Sequence, residues 1–503
     1  MAKFPRLAAA VCFCFLAPVA HADVTAADVW ESWQDQARTF GQTLNASGAQ
    51  VGSGTLTQRR VKLEMETVDG TVESEIGDIV FTESGSGAVA ITLADSYPLT
   101  LRTAGDAGED LDLTMQVRHP GLEIVATGEP GAVNYTLSSP ELGLELTEIA
   151  LDGTPFDMVL EVLAKPLQGS YGYDTGGRTL VNDLELGALA VRMEVDDPEG
   201  GGAFELSMTM EDVRSDGRST GGSALAGTMP LSAMLDQGFR STSAISYGAV
   251  RYAISGTDTR DTFNVDGSIG SGRVSADINP SGFSYSGSND AVVLNLSGTS
   301  IPFPSLEISL EESSGTFQMP LAPSDEPQDF ALLTELTGLE IDEMLWSLFD
   351  PQALLPREPA NLLIDIAGRA NWLVDITDPE AAEGFDATMG LPGELHALDL
   401  NALSLSLLGA KLAGEGAFTF DNSGASAFAE MPAPDGTVEF ELTGLDNLLD
   451  TLVSMGLVPE DQAMGARMML GIFAQPGPGP DSLVSTIEVN PDGSVLANGQ
   501  RIR

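Results

Sequence analysis

The chain has 503 residues, with 23 lysines and arginines against 74 aspartates and glutamates, giving a formal net charge of −51 at pH 7. A field of that sign repels phosphate backbones and anionic headgroups, which argues against nucleic-acid binding and against electrostatic docking on an acidic membrane. The only cysteines are Cys12 and Cys14, so beyond them thiol chemistry and cysteine-based metal sites are excluded.

The first segment, MAKFPRLAAAVCFCFLAPVAHADV, has a basic start (Lys3, Arg6), an apolar stretch from Leu7 to Ala20, and an Ala20-His21-Ala22 site before Asp23. This is the pattern of a secretory signal peptide cleaved after Ala22, too short to span a bilayer. It predicts a periplasmic protein with no integral membrane segment in the mature chain. Removing Lys3 and Arg6 leaves 21 basic residues against 74 acidic ones, so the mature charge is 21 − 74 = −53. Neither cysteine sits in a lipoprotein box.

Next, Thr25 and Asp28 have the spacing of a helix start, and Val29, Trp33, Ala37, Phe40 and Leu44 form an apolar stripe at helical spacing, predicting a helix over 25–44. From there period-two alternation dominates, in Leu111–Val117, Phe204–Met210, Leu306–Leu310 and Val438–Leu442. Turn signals separate such runs: Asp69-Gly70, Gly85-Ser-Gly87, Asp152-Gly153, Asp266-Gly267 and Asp435-Gly436. Half-buried strands of this kind belong to antiparallel sheet. Short helices are expected at Pro230–Asp236 and Ile341–Phe349. A helical pair follows, with Leu445, Leu448, Leu449, Leu452 and Val453 on one face, Gly456 as its cap and Pro459 opening the second helix.

Ser215–Ser223 and Ala322–Asp329 have the composition of boundaries. The reading is therefore mainly β (α+β): long curved antiparallel sheets or successive β modules, with a few short amphipathic helices at their ends. The expected units are a signal peptide (1–22), an N-terminal helix plus β module (23–225), a central β module (226–325), and a C-terminal β module with a helical hairpin (326–503). A looser recurrence of strands, glycine-rich turn, strand and short helix runs over 180–239 and again over 395–455. At the end, Val484–Val489 and Ser494–Leu496 read as strands around an Asn490–Gly493 turn, a final strand covering a sheet edge.

No residues are assigned to catalysis, cofactor binding or metal binding, and no cofactor is expected. His119 and His396 stand outside any motif, and no nucleophile elbow, metalloprotease or phosphate-loop pattern occurs. Acidic turns such as Asp196–Gly200 and Asn490–Gly493 do not follow the 12-residue calcium loop. Paired carboxylates suffice for a hydrolase, but the sequence selects no two of them.

The stretches Ala463–Phe473, Ser485–Val489 and Gly493–Arg501, together with Leu345–Pro351, Leu354–Ala360 and Leu407–Leu412, resemble an uncharacterised alphaproteobacterial group, domain-of-unknown-function family 2125, over most of the mature chain. More loosely, the blocks ending in DGTVEFELTGLDNLLDTL and the final LANG strand resemble the AsmA-like envelope proteins. That resemblance implies long curved sheets with an apolar inner groove, associated with lipid movement in the periplasm. Such relatives keep an N-terminal membrane anchor, from which the predicted cleavage after Ala22 departs.

Three functions follow as expectations: an exported, non-enzymatic envelope protein that binds or carries a lipid or other apolar ligand in a sheet groove; a structural or assembly factor that recruits envelope proteins; and a carboxylate-dependent hydrolase. The charge also predicts behaviour in salt. Self-repulsion weakens as the Debye length falls from about 10 Å at 0.1 M to about 3 Å at 1 M. The melting temperature should therefore rise along a NaCl series, more than for a neutral β-protein of similar size, with only a minor additional effect of calcium. A flat NaCl series defeats the screening argument.

Overall fold

A computed structural model describes residues 23–67, 70–104, 110–197, 201–221, 231–301, 303–378, 381, 392–423 and 432–503. The predicted signal peptide with Cys12 and Cys14, the Asp69 half of the Asp69-Gly70 turn, and Pro230 lie outside the described residues. The chain is mainly β. Every named strand, from Gln42–Asn45 to Gln500–Arg501, joins one antiparallel sheet. The alternating runs predicted above all sit in strands: Asp110–Arg118, Gly202–Thr220, Leu306–Met319 and Ala433–Thr443.

Most pairings join sequential strands and the rest skip only one or two, so the sheet is a ribbon of about twenty rungs. At ~4.8 Å per rung its contour is on the order of 90 Å. The ladder runs across both expected module boundaries. Gly202–Thr220 pairs with Arg240–Tyr247, and Leu306–Met319 pairs with Gln328–Ile341. Ser215–Thr220, read above as the start of a boundary, is strand. A strand polar on both faces (Ser215, Gly217 and Ser219 against Asp216 and Arg218) leaves no hydrophobic alternation to detect.

The described helices are α1 (Ala26–Thr39), α2 (Leu231–Asp236), α3 (Glu343–Phe349), α4 (Leu445–Ser454) and α5 (Glu460–Phe473). Thr25 and Asp28 form the predicted reciprocal cap of α1. The helix is shorter than its stripe implies. Gly41 turns the backbone at φ 71°, and Leu44 lies in a strand opposite Leu63. At the other end, Val495–Ala497 pairs with Ile487–Val489 and turns back through Asn498 (φ 50°) and Gly499 (φ 78°) to Gln500–Arg501. The last strand thus covers the sheet edge, as expected.

A lengthwise crease divides the ribbon. In one strand after another the inside–outside alternation changes phase at the same level, marked by two consecutive exposed residues: Arg59-Arg60, Lys165-Pro166, Glu211-Asp212, Asp290-Ala291 and Glu311-Glu312. Several of these positions have left-handed backbone (Arg60, Asp212, Ala291), as does Gly338 on the neighbouring strand. A strand with strict alternation would send the apolar side chains beyond this point to the other face. The phase change keeps them on one side. At the N-terminal end Leu44, Val61 and Leu63 from one facet share a single core with Ile79, Phe81 and Tyr135 from the other.

Burial is uneven along the ribbon. Of the ten largest fully buried side chains, all but Asp350 precede residue 174. The chain exposes 29214 Å², against roughly 18,000 Å² for a compact monomer of its mass. Beyond the N-terminal core, several large apolar side chains of the described strands, among them Tyr285, Phe317 and Leu332, stay part-exposed.

Candidate functional site

Register places the inner residues opposite one another from strand to strand. On one facet Leu160, Val162 and Ala164 oppose Met193, Val191 and Leu189, which oppose Leu206, Met208 and Met210. The row continues through Ile254, Val265, Leu296 and Leu306. On the other facet Phe283, Phe317, Leu332, Ile366, Leu400, Val438 and Ile487 carry it toward the C-terminus. Apart from Gln328 and Asp258, which ends its strand opposite Gly202, the inner positions of the described paired strands between Leu160 and Ile487 hold apolar, glycine, serine, threonine, asparagine and tyrosine residues. The other carboxylates of the same strands, such as Glu205, Asp290, Glu335, Glu415 and Glu439, take the opposite face. In a chain with 74 carboxylates, that segregation leaves one face of the sheet strongly acidic and the other of low polarity.

Glycines keep this surface low. Across the ladder, Gly256 opposes Phe263, Gly267 opposes Tyr252, Gly272 opposes Tyr247, Gly368 opposes Phe330, and Gly414 opposes Phe440. A Cβ on Gly267 would lie 2.6 Å from the Tyr252 ring, and one on Gly368 2.4 Å from Phe330. Each ring therefore lies over its glycine instead of standing up into the groove. This explains why Asp266-Gly267 and Asp435-Gly436, predicted as turns, lie inside the strands Thr262–Ile269 and Ala433–Thr443. Gly436 is there because a Cβ would come within 2.1 Å of the Ala417 carbonyl oxygen.

Mid-ribbon the groove is open. Tyr285, Phe317 and Leu332 oppose one another on successive strands and remain 40%, 37% and 40% exposed. Helix α1 shows what such a surface accepts. It lays Val29, Trp30 and Trp33 against Phe81 and Tyr135, with Trp33 and Phe81 edge to face at 5.6 Å. The Tyr135 hydroxyl donates to Ser32 Oγ at 3.1 Å, and the Tyr173 hydroxyl donates to Asp35 at 2.9 Å. Tyr135 and Tyr171 stack at 4.4 Å.

Burial pushes the Tyr135 hydroxyl up to about 12, and burial with the neighbouring Tyr135 raises Tyr171 further above the ordinary range. A raised phenol stabilises the fold below the unfolded value near 10, and this stabilisation disappears as pH rises through the folded value. The α1 end should therefore lose stability between pH ~10 and ~12, and an absorbance titration should show these two tyrosines ionising together with unfolding. Ionisation of all tyrosines near 10 with the fold intact contradicts this.

Where the first facet ends, at Ile341, α3 and the following loop form a polar knot. Asp350 is fully buried, accepting the Leu354 and Leu355 N–H groups at 2.9 Å each. Arg357 donates to the Asp350 carbonyl at 3.0 Å and to Glu343 at 2.6 Å, and lies 4.8 Å over the Trp346 ring. Burial works to raise the Asp350 carboxyl, but the two amides and Arg357 outweigh it and hold it below the ordinary range.

His119 is buried beside Tyr97, and His396 Nε2 lies 2.7 Å from Asn371 Oδ1. Among the described residues no group of three or more His, Cys, Asp or Glu could hold a metal, and no helix is long and apolar enough to cross a membrane. The sequence assigned no site residues. The Gly–aromatic pairs were its available signal, invisible until register brings the partners together.

The sequence model of a family described as an uncharacterized protein conserved in bacteria (DUF2125) matches residues 204–499. This span contains the α3 knot, the mid-ribbon row and the helical hairpin, and begins after the α1 core. No curated protein and no solved structure matches the chain.

Proposed function

The chain belongs to the DUF2125 family of bacterial proteins, and for it we propose a non-enzymatic role: binding or carrying a lipid, or another ligand with a long apolar part, along the inner face of its ribbon. The observation that carries this reading is the half-exposed Tyr285–Phe317–Leu332 row within a surface whose one carboxylate, Asp258, sits at a strand end. Monomeric proteins seldom leave a large contiguous apolar patch uncovered without a use for it. An elongated groove suits an extended hydrocarbon better than a compact ligand, whose site would be a deep enclosed pocket. The segregation of charge also favours this reading over a carboxylate hydrolase, because the acids other than Asp258 lie on the side away from the groove. The predicted signal peptide extends the proposal to an exported carrier that works in the periplasm.

Native mass spectrometry of the gently purified protein tests the proposal. We expect bound species with lipid masses that detergent washing removes. A protein that emerges empty, and stays empty after incubation with phospholipid vesicles, defeats it.

A further inference from the structure

The two ends of the groove are not equivalent. At the N-terminal end α1 fills the concavity with Val29, Trp30 and Trp33, and its hydroxyl bonds to Tyr135 and Tyr173 fasten it there. At the C-terminal end α5 covers the inner face more loosely. Between α5 and the strands lies an apolar cavity of about 290 Å³, lined by Leu412, Phe440, Leu442, Leu470, Phe473 and Ile487. Leu412, Phe440, Leu442 and Ile487 are inner-face positions, so the cavity continues the groove rather than forming a separate site.

The attachments of α5 lie at its edges. Its C-terminal carbonyl, Phe473, accepts from Ser485 Oγ at 2.6 Å and from Asn498 Nδ2 at 2.9 Å. Arg467 joins it to α4 through Asp446 (2.8 Å) and Asp450 (2.7 Å). Meanwhile Met464, Met468, Met469 and Ile472 face solvent at 57%, 69%, 62% and 56% exposure.

We infer that this cavity is the loading port of the groove, where the acyl chain of a lipid with no net negative charge first inserts beneath α5. The inference rests on the carrier reading above. At the α1 end the larger pocket, of about 610 Å³, has Asn134, Ser170, Asp174, Asp183 and Arg218 in its lining, polar and charged groups that do not suit an acyl chain, which makes loading directional. The headgroup class follows from charge. The α4–α5 hairpin carries Asp446, Asp450, Glu460 and Asp461 against a single cation, Arg467, whose guanidinium is held by two of those carboxylates. An anionic headgroup would meet repulsion from these carboxylates, and the hairpin's own cation is already paired.

The experiment incubates the delipidated chain with neutral phosphatidylcholine vesicles containing a diazirine-acyl phosphatidylcholine, with photolysis at successive times and adducts mapped by mass spectrometry. We expect the earliest adducts on the segments carrying Leu412, Phe440 and Leu470, and later ones on the Tyr285–Leu332 strands. Replacing the vesicle lipid with phosphatidylglycerol should slow loading. A Leu470→Trp variant, which fills the cavity, should load roughly tenfold more slowly, the scale expected when one buried contact set is lost. Met468→Trp, on the solvent side of the same helix, should load normally. Adducts that appear first before residue 330, or simultaneously along the groove, overturn the port, and the order is readable in the unmodified chain even where Leu470→Trp misfolds. Equal loading by Leu470→Trp also overturns it. Complete absence of adducts overturns the carrier reading itself.

Discussion

Asp350→Ala should lower stability by about 3–5 kcal/mol, the usual consequence of removing one partner from a buried charged network. The side chain has no solvent exposure, and its two carboxylate oxygens satisfy the Leu354 and Leu355 amides. Alanine leaves both donors unpaired in a dry site and strips Arg357 of its central anion. Asp350→Asn should cost less, since its carbonyl can still serve one amide, but its NH₂ group meets the other donor head-on. Because the carboxyl is held below its ordinary range, its contribution is complete above pH ~4 and is lost as pH falls through the native value. Hydrogen exchange is the appropriate measurement, as a sheet this large need not unfold in one step. Protection of the 343–360 segment should collapse in Asp350→Ala while the α1 core keeps its own. Unchanged exchange at Leu354 and Leu355 would show that the carboxylate does not hold the loop.

Why such a knot exists follows from the ribbon. Its first facet stops where Leu339 opposes Ala360, and no further strand pairs beyond. A free edge there would invite pairing with another chain. Helix α3 and its loop follow that last strand, and the buried carboxylate fixes the turn between them through the Leu354 and Leu355 amides.

The sequence made this fold legible in its class, its end helices and its last strand, because all three depend on local signals: period-two alternation, the Thr25–Asp28 cap, and the Asn498-Gly499 turn. It did not show the crease. A phase change at Arg60 or Asp212 looks like a local lapse in alternation, and only the coincidence of many such lapses at one level of the ladder gives it meaning. The strand glycines misled for a related reason. Asp-Gly is a turn signal when judged along the chain, yet Gly267 and Gly436 are set by what lies across it. Function was legible only as a groove suggested by resemblance; the segregation of charge that supports it is a property of register.

That segregation also gives the strongest test of the groove. Leu332→Glu and Thr316→Glu each add one negative charge, on neighbouring strands, but register sends Leu332 inward beside Phe317 and Thr316 outward beside Leu333. Leu332 is 40% exposed, so either glutamate stays hydrated in the empty protein and should cost no more than ~1 kcal/mol, the span of strand preferences. The difference appears on loading. An acyl chain laid over Leu332→Glu must strip water from an unpaired carboxylate, a cost of several kcal/mol, so affinity should fall by at least ~100-fold, equivalent to ~2.7 kcal/mol. Leu332→Gln, polar but uncharged, should fall between the two. Lipid content by native mass spectrometry, with melting temperatures as the folding control, reads all three. If Leu332→Glu retains lipid as the unmodified chain does while Thr316→Glu loses it, the ligand lies on the outer face and the groove has been assigned to the wrong side of the sheet.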